Sequence, residues 1–205
     1  MLRIHKMNNQ TVIFIGRSGC GKGTQAKLLR DWLHQEDSEK KQILYVETGD
    51  KFRQFILGES FSSRLTKENY DADKRQPDFL ACLMWGNMLL EELEDNMHIV
   101  FDGVARSLAE ANLITTALEF YKRDKPIVIH LDVSREWSEE RLLARGRTDD
   151  KSLAKIIKRL NWFDADVMPA IEYFKKVPMY RYIRVNGEQP IEKVHEDILK
   201  AYDQA

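Results

Sequence analysis

Gly16-Arg17-Ser18-Gly19-Cys20-Gly21-Lys22-Gly23-Thr24 lies between an apolar, β-type run, Val12-Ile13-Phe14-Ile15, and a helix-type run carrying Leu28, Leu29, Trp32 and Leu33. The order is strand, glycine-rich turn, helix. Glycines let successive backbone N–H groups point at one spot, and the helix start adds its positive dipole end, which together cradle phosphate oxygens. Lys22 supplies a point charge for the outer phosphates. A Walker-type loop ends in Gly-Lys and then Ser or Thr; here Gly23 takes the Ser/Thr place and Thr24 follows one residue later. A glycine turn by itself would mean only a tight bend. With the lysine, the strand before and the helix after, a nucleotide-phosphate site is the stronger reading.

Working outward, short apolar runs recur at Val12–Ile15, Ile43–Val46, Ile99–Phe101, Ile127–Leu131 and Tyr182–Val185, separated by helix-type periodicity. This pattern predicts a parallel sheet. Leu108, Ala111, Ile114, Leu118 and Tyr121 fall at helical spacing, as do Ile191, Val194, Ile198 and Tyr202, so each segment offers one apolar stripe to the sheet. Ligands of open α/β sheets bind at the carboxyl ends of strands, which directs attention to the residue following each run. The mixed-charge segment Glu36-Asp37-Ser38-Glu39-Lys40-Lys41 reads as a solvated linker, and Pro169 is expected to kink or interrupt the helix that contains it.

The chain has 205 residues, 43% of them hydrophobic, enough for one sizeable core. With 32 basic and 33 acidic residues the formal net charge is -1, which gives no global attraction to nucleic acid or an anionic membrane. Two cysteines, Cys20 and Cys82, suit a reducing compartment, and no run reaches the ~20 apolar residues of a membrane span. The cytoplasm is the expected location. The five histidines, His5, His34, His98, His130 and His195, lack metal-ligand spacing and are read as structural.

The run Gly21-Lys22-Gly23-Thr24-Gln25-Ala26 resembles the phosphate loop of adenylate kinases and their nucleoside monophosphate kinase relatives. Thr48-Gly49-Asp50 followed by Arg53 is similar to the monophosphate-binding element of that family, with Thr near the base and Arg on the acceptor phosphate. Asp102-Gly103-Val104-Ala105-Arg106 resembles the family's Asp-Gly-aromatic-Pro-Arg turn, with Val104 and Ala105 in place of the aromatic residue and the proline. Losing that proline costs the turn rigidity rather than chemistry. Four residues on, AMP-using members carry a Gln that reads the adenine edge, where this chain has Glu110. An ionised Glu only accepts, which suits a donor-rich edge such as guanine's, unless Glu110 faces solvent. Thr48 points back towards adenine. Arg141, Arg145-Gly146-Arg147-Thr148-Asp149-Asp150 and Arg159 resemble the family's lid and its flanks, shortened almost to nothing. Arg141 and Arg145, four apart, share one helical face.

The resemblance implies one α/β domain over residues 1–205, a P-loop three-layer sandwich with a central five-stranded parallel sheet. It would carry a small helical monophosphate-binding insertion at about 52–81 and a very short lid at about 145–150. It further implies transfer of phosphate from MgATP to AMP, giving two ADP, by a monomer. Gly19, Cys20, Gly21, Lys22, Gly23, Thr24 and Arg141 would hold the donor. Thr48, Gly49, Arg53, Gly103, Arg106 and Glu110 would hold the acceptor. Lys22, Arg106, Arg145, Arg147 and Arg159 would surround the group in flight, and Asp102 and Thr24 would act on magnesium through its water shell. Another monophosphate as acceptor, or a nucleotide-binding regulator with little transfer, are the competing readings. No Asn-Lys-x-Asp run supports a GTPase.

Overall fold

In the computed structural model, which describes residues 7–72, 74–145 and 152–203, the five apolar runs become β1 (Thr11–Gly16), β2 (Gln42–Glu47), β3 (Met97–Asp102), β4 (Ile127–Asp132) and β5 (Arg181–Asn186). They pair in parallel in the order β2-β3-β1-β4-β5. Alternation sends Ile13, Ile15, Leu44, Val46, Ile99, Phe101 and Val128 to one face, and Val12, Phe14, Val100, Ile127, Ile129 and Leu131 to the other. Helices cover both faces. α1 (Lys22–Glu36) and α9 (Ile191–Asp203) cover the second face, while α4 (Asp78–Glu92), α5 (Leu108–Phe120) and α8 (Met168–Lys176) cover the first. This is the expected three-layer α/β sandwich.

Between β2 and α4, at the carboxyl edge of the sheet, run α2 (Thr48–Phe55) and α3 (Phe61–Asp71). Ser60 starts α3 by accepting from the Ser63 N–H at 3.0 Å, a cap that ends the preceding loop. α6 (Arg135–Arg145) and α7 (Leu153–Trp162) stand on the far side of the loop. Pro169 lies in the first turn of α8, and the helical run ahead of it, Phe163–Val167, is a π turn. Proline has no N–H to give and its ring crowds the carbonyl four residues back, so the ladder widens there instead of breaking.

One expectation is overturned in part. Ser38, Glu39 and Lys40 are exposed as a solvated linker requires, but Glu36 is only 7%, Asp37 0% and Lys41 5% exposed. Asp37 accepts from the N–H groups of Met7, Glu39 and Lys41 at 3.3, 3.3 and 3.1 Å and faces His98 Nε2 at 3.3 Å. Lys41 Nζ caps the Met7 carbonyl at 2.6 Å and pairs with Glu39 at 2.7 Å. A charge buried this deeply survives only when its lone pairs are all engaged, and here they are. The knot joins the end of α1 to the starts of β1, β2 and β3, at the opposite end of the sheet from the glycine loop. No helix among the described residues is long and apolar enough to cross a membrane.

Candidate active site

β1 ends at Gly16, and α1 begins at Lys22 after a left-handed Gly21 at φ 97°. The turn between them is closed by the Cys20 N–H on the Arg17 carbonyl at 3.2 Å. Gly16 has no room for a side chain, since a Cβ would meet the Leu131 carbonyl oxygen at 2.5 Å and Cys20 Sγ at 2.9 Å. At Gly21 a Cβ would meet nothing within 4 Å, because that side faces the cleft. The first-turn amides of α1 have no intrahelical acceptor, so they remain available to an anion. Lys22 Nζ bridges the Gly16 and Arg17 carbonyls at 2.8 and 2.9 Å, which holds the ammonium across the mouth of the loop. Cys20 is buried beneath the loop, 4% exposed, and its Sγ accepts from Lys22 Nζ at 3.6 Å.

A cleft of about 1340 Å³ opens above the carboxyl ends of the strands. A hollow of similar size, about 1170 Å³, lies at the opposite edge, among Met7, Lys41 and Arg123, away from the loop and from the strand ends where α/β ligands bind. Into the first cleft converge Gly19, Gly21, Lys22, Gly23 and Thr24 from the loop and the start of α1, and Thr48, Gly49 and Arg53 from α2. Asp102, Gly103, Arg106 and Glu110 enter from the β3–α5 turn. Arg141 and Arg145 enter together from α6, and Arg159 from α7. Arg147 falls outside the described residues, as do residues 146–150 of the shortened lid.

Asp102 ends β3 with 8% of its surface exposed, and its Oδ2 would lie 3.2 Å from a Cβ on Gly23. The glycine in the Ser/Thr place therefore lets the strand-end carboxylate approach the start of α1. Thr48 spends its hydroxyl on the Gly103 carbonyl at 3.1 Å, fastening α2 to the β3–α5 turn. Arg53 lies along its own helix, 3.3 Å from Glu47 and 3.4 Å from Asp50. Gly103 at φ +72° leaves space for Arg106, whose Nε donates to the Gly103 carbonyl at 2.6 Å. Ala105 takes φ +55°, a left-handed conformation that proline's ring forbids, so the turn follows another backbone path instead of merely loosening. Arg106 touches water within the cleft yet is crowded by protein, and this burial lowers its pKa, while Glu110 and Asp102 oppose the shift.

Glu110 does not face solvent. It is 2% exposed, one turn beyond Arg106, and faces Arg75 Nη2 at 3.4 Å. Burial raises its pKa against the pull of Arg106 and Arg75. Asn186 and Gly187 end β5 beside the loop: a Cβ on Gly187 would lie 3.5 Å from the Cys20 carbonyl oxygen.

The family model described as "Adenylate kinase" matches residues 14–179. The chain belongs to the adenylate kinase family. An adenylate kinase of Synechococcus sp. (strain JA-2-3B'a(2-13)) is 32% identical over 191 residues, covering 91% of this chain and 93% of its own. One from Flavobacterium psychrophilum is 30% identical over 190 residues, covering 89% and 93%. One from Corynebacterium urealyticum is 31% identical over 192 residues, covering 94% and 98%.

Within this adenylate kinase fold, several cleft groups escaped the sequence reading. Tyr45 donates to Asp102 Oδ2 at 2.9 Å while Arg30 stacks on its ring at 3.9 Å. Arg17, inside the loop, pairs with Asp164 at 2.7 Å and lies over the Phe163 ring at 4.3 Å, which ties the loop to the π turn. Asp164 also accepts from Arg135 at 3.1 Å. Lys27, Lys74, Arg75 and Lys155 add to the basic lining. Arg17 could have been singled out as a cation within the loop; nothing local marked Tyr45.

Proposed function

We propose that this adenylate kinase family member transfers the terminal phosphoryl group of ATP to AMP, giving two ADP. The observation that carries the reading is convergence: Lys22, Arg53, Arg106, Arg141, Arg145 and Arg159, spread over the chain, all line one cleft above the glycine loop. A cleft with so many cations beside the strand-end carboxylates Glu47 and Asp102 suits two phosphate-bearing ligands held end to end.

In this reading the loop amides and Lys22 hold the donor's phosphates, with Arg141 beside them. Arg53 and Arg106 hold the acceptor phosphate. One of its oxygens attacks the γ-phosphorus while the bond to the β–γ bridging oxygen breaks and ADP leaves with the electron pair. That oxygen is already anionic, so no general base is required. Arg145, Arg159 and, outside the described residues, Arg147 carry the charge spread over the group in flight. Guanidinium suits the task because it stays protonated and binds phosphate oxygens in pairs.

The residues also fit magnesium. Asp102 and Thr24 offer oxygen donors beside the loop, the chemistry that a hard cation with retained waters requires, whereas Gly23 has none to give. Bound with ATP, the ion would neutralise charge on the outer phosphates. The segment at about 52–81 acts in this reading as the acceptor-binding insertion and that at about 145–150 as the lid of a single domain. A monomer at work in the cytoplasm belongs to the same proposal, and two free thiols, Cys20 and Cys82, suit a reducing compartment.

The test is an acceptor panel. Purified protein with MgATP is given AMP, GMP, CMP, UMP and dTMP in turn. AMP is expected to have the highest kcat/KM; faster turnover of another monophosphate would overturn the assignment of the acceptor, and tight ATP binding with no product from any would favour a regulator.

A further inference from the structure

α4 and α5 lie side by side over the first face of the sheet, and each joins two parallel strands, so they run in the same direction. Their outward sides face away from the core. In a chain that is 32% charged, the stretch from Phe79 to Leu90 contains no charged residue at all. Phe79, Leu83 and Leu90 of α4, with Leu108, Leu113 and Phe120 of α5, are each between 44% and 75% exposed. Two polar residues on the same side of α5 spend a donor on their own helix: Asn112 donates to the Leu108 carbonyl at 2.7 Å and Thr116 to the Leu113 carbonyl at 2.8 Å. A helix that faces water ordinarily carries charge on its outer side, whereas one that is apolar all round is covered on both.

Gly86 stands in the same stripe, three residues after Leu83 and four before Leu90. Glycine is among the least favourable residues for a helix interior. Its own chain gives no reason for it, since a Cβ on Gly86 would meet nothing within 4 Å. A glycine that the fold does not need marks a place where another backbone approaches. We infer that this face joins two copies of the chain, α4 of one copy crossing α4 of the other in antiparallel fashion at Gly86. Gly86 follows Trp85, the midpoint of α4, so a crossing there overlaps the two helices along their whole length. A two-fold axis sets each patch on its own likeness, and a patch without charge has nothing to repel its copy. Glu91 of each helix then approaches the N-terminus of the other, the positive end of its dipole.

The six large side chains expose on the order of 600 Å² per copy, somewhat below the about 800 Å² per partner of a standard interface. The pairing is therefore reversible, with half-dissociation expected between about 1 and 100 µM. None of these residues lines the cleft, so catalysis stays with the single chain, and the pairing adds an assembly at high concentration to the monomer of the reading above.

The test is sedimentation velocity of the full chain from about 1 to 300 µM, spanning that range. The mean mass is expected to rise from that of one chain towards twice that value. Gly86→Lys fills the notch with bulk and charge and should weaken the pairing at least about tenfold. Because lysine is the better helix former and meets nothing in its own chain, the variant should resist urea at least as well as the wild type and keep its kcat at nanomolar enzyme. Leu57→Lys removes a leucine that is 80% exposed just beyond α2, away from this face, and should leave the pairing unchanged. A wild type with the mass of one chain at 300 µM, a Gly86→Lys chain that pairs as the wild type does, or a Leu57→Lys chain that dissociates as readily as Gly86→Lys would each overturn the inference. So would a Gly86→Lys chain that unfolds in less urea, because the glycine would then serve its own fold. The acceptor panel, run at nanomolar enzyme, is indifferent to pairing, so failure of either reading leaves the other standing.

Discussion

The phenol of Tyr45 donates to the carboxylate of Asp102 across 2.9 Å, from one strand to the next. The same oxygen sits 3.2 Å from the Cβ that Gly23 lacks, so Asp102 is pinned between β2 and the start of α1. Burial, with the negative charge of Asp102, pushes the Tyr45 pKa well above its ordinary value, so the phenol remains a donor throughout the working range. The glycine in the loop and the tyrosine on the strand are thus two halves of one device for aiming a carboxylate.

Tyr45→Phe removes the bond without emptying the space. A hydrogen bond of about 1 kcal/mol corresponds to roughly fivefold in rate, and kcat is expected to fall by about that factor with the fold intact. Asp102→Asn should cost roughly 10²-fold and more at low magnesium. Titrating kcat against magnesium for both variants checks this; a Tyr45→Phe enzyme with unchanged kcat and magnesium dependence would deny the aiming role.

Gly23→Ser restores the hydroxyl of a Walker-type loop and should nevertheless harm this enzyme. Its Cβ would press on an oxygen that Tyr45 holds in place, so the carboxylate must move by a few tenths of an ångström or lose its bond. We expect a roughly tenfold fall in kcat, with Tyr45→Phe added to Gly23→Ser costing less than the sum of the two. Strict additivity in the double variant would argue against a shared strain.

Arg106→Ala should lower kcat/KM for AMP by orders of magnitude and leave ATP affinity, read by calorimetry, unchanged. Equal losses in both substrates would mean that Arg106 serves the turn and not the acceptor.

The buried knot around Asp37 gives stability a definite dependence on pH. Burial pushes the Asp37 pKa up, but the N–H groups of Lys41, Glu39 and Met7, with His98, outweigh it and hold the carboxyl far below its usual range. Its folded pKa is depressed, so the stabilisation is complete above about pH 4 and is lost as the pH falls further. His98 adds to the same trend. Burial lowers its pKa against Asp37, so below about pH 6.5 the unfolded chain takes up more protons and stability declines. Urea unfolding from pH 7 to pH 3 should show stability falling throughout. Asp37→Asn should cost about 3 kcal/mol at pH 7, and its deficit should shrink in acid. Activity should survive at temperatures where the variant is folded, since the knot lies at the far end of α1, about 22 Å from the loop by helical rise.

The sheet was legible because each strand is an apolar run closed by polar or glycine residues, and the loop because its chemistry is local. What escaped depends on residues far apart in the chain. Tyr45 and Asp102 are 57 positions apart, Arg75 and Glu110 35, and Asp37 and His98 61. The buried charges of Glu36–Lys41 look solvated because their partners, Met7 and His98, are supplied by the segment before β1 and by β3. Glu110 was found as a position, yet its pairing depended on where Arg75 would fold. Strand order, which places Asp102 against α1, cannot be read from periodicity at all.

The π turn at Phe163–Val167 sends Asp164 to Arg17 in the loop and Asp166 to Arg75 on the cleft floor. Deleting Ala165 would restore regular winding but swing one of these carboxylates about 100° around the axis, so both attachments could not persist. Chain length in this short turn therefore couples the glycine loop to the cleft floor, and a single insertion or deletion there would shift both together, where substitutions would alter them one at a time.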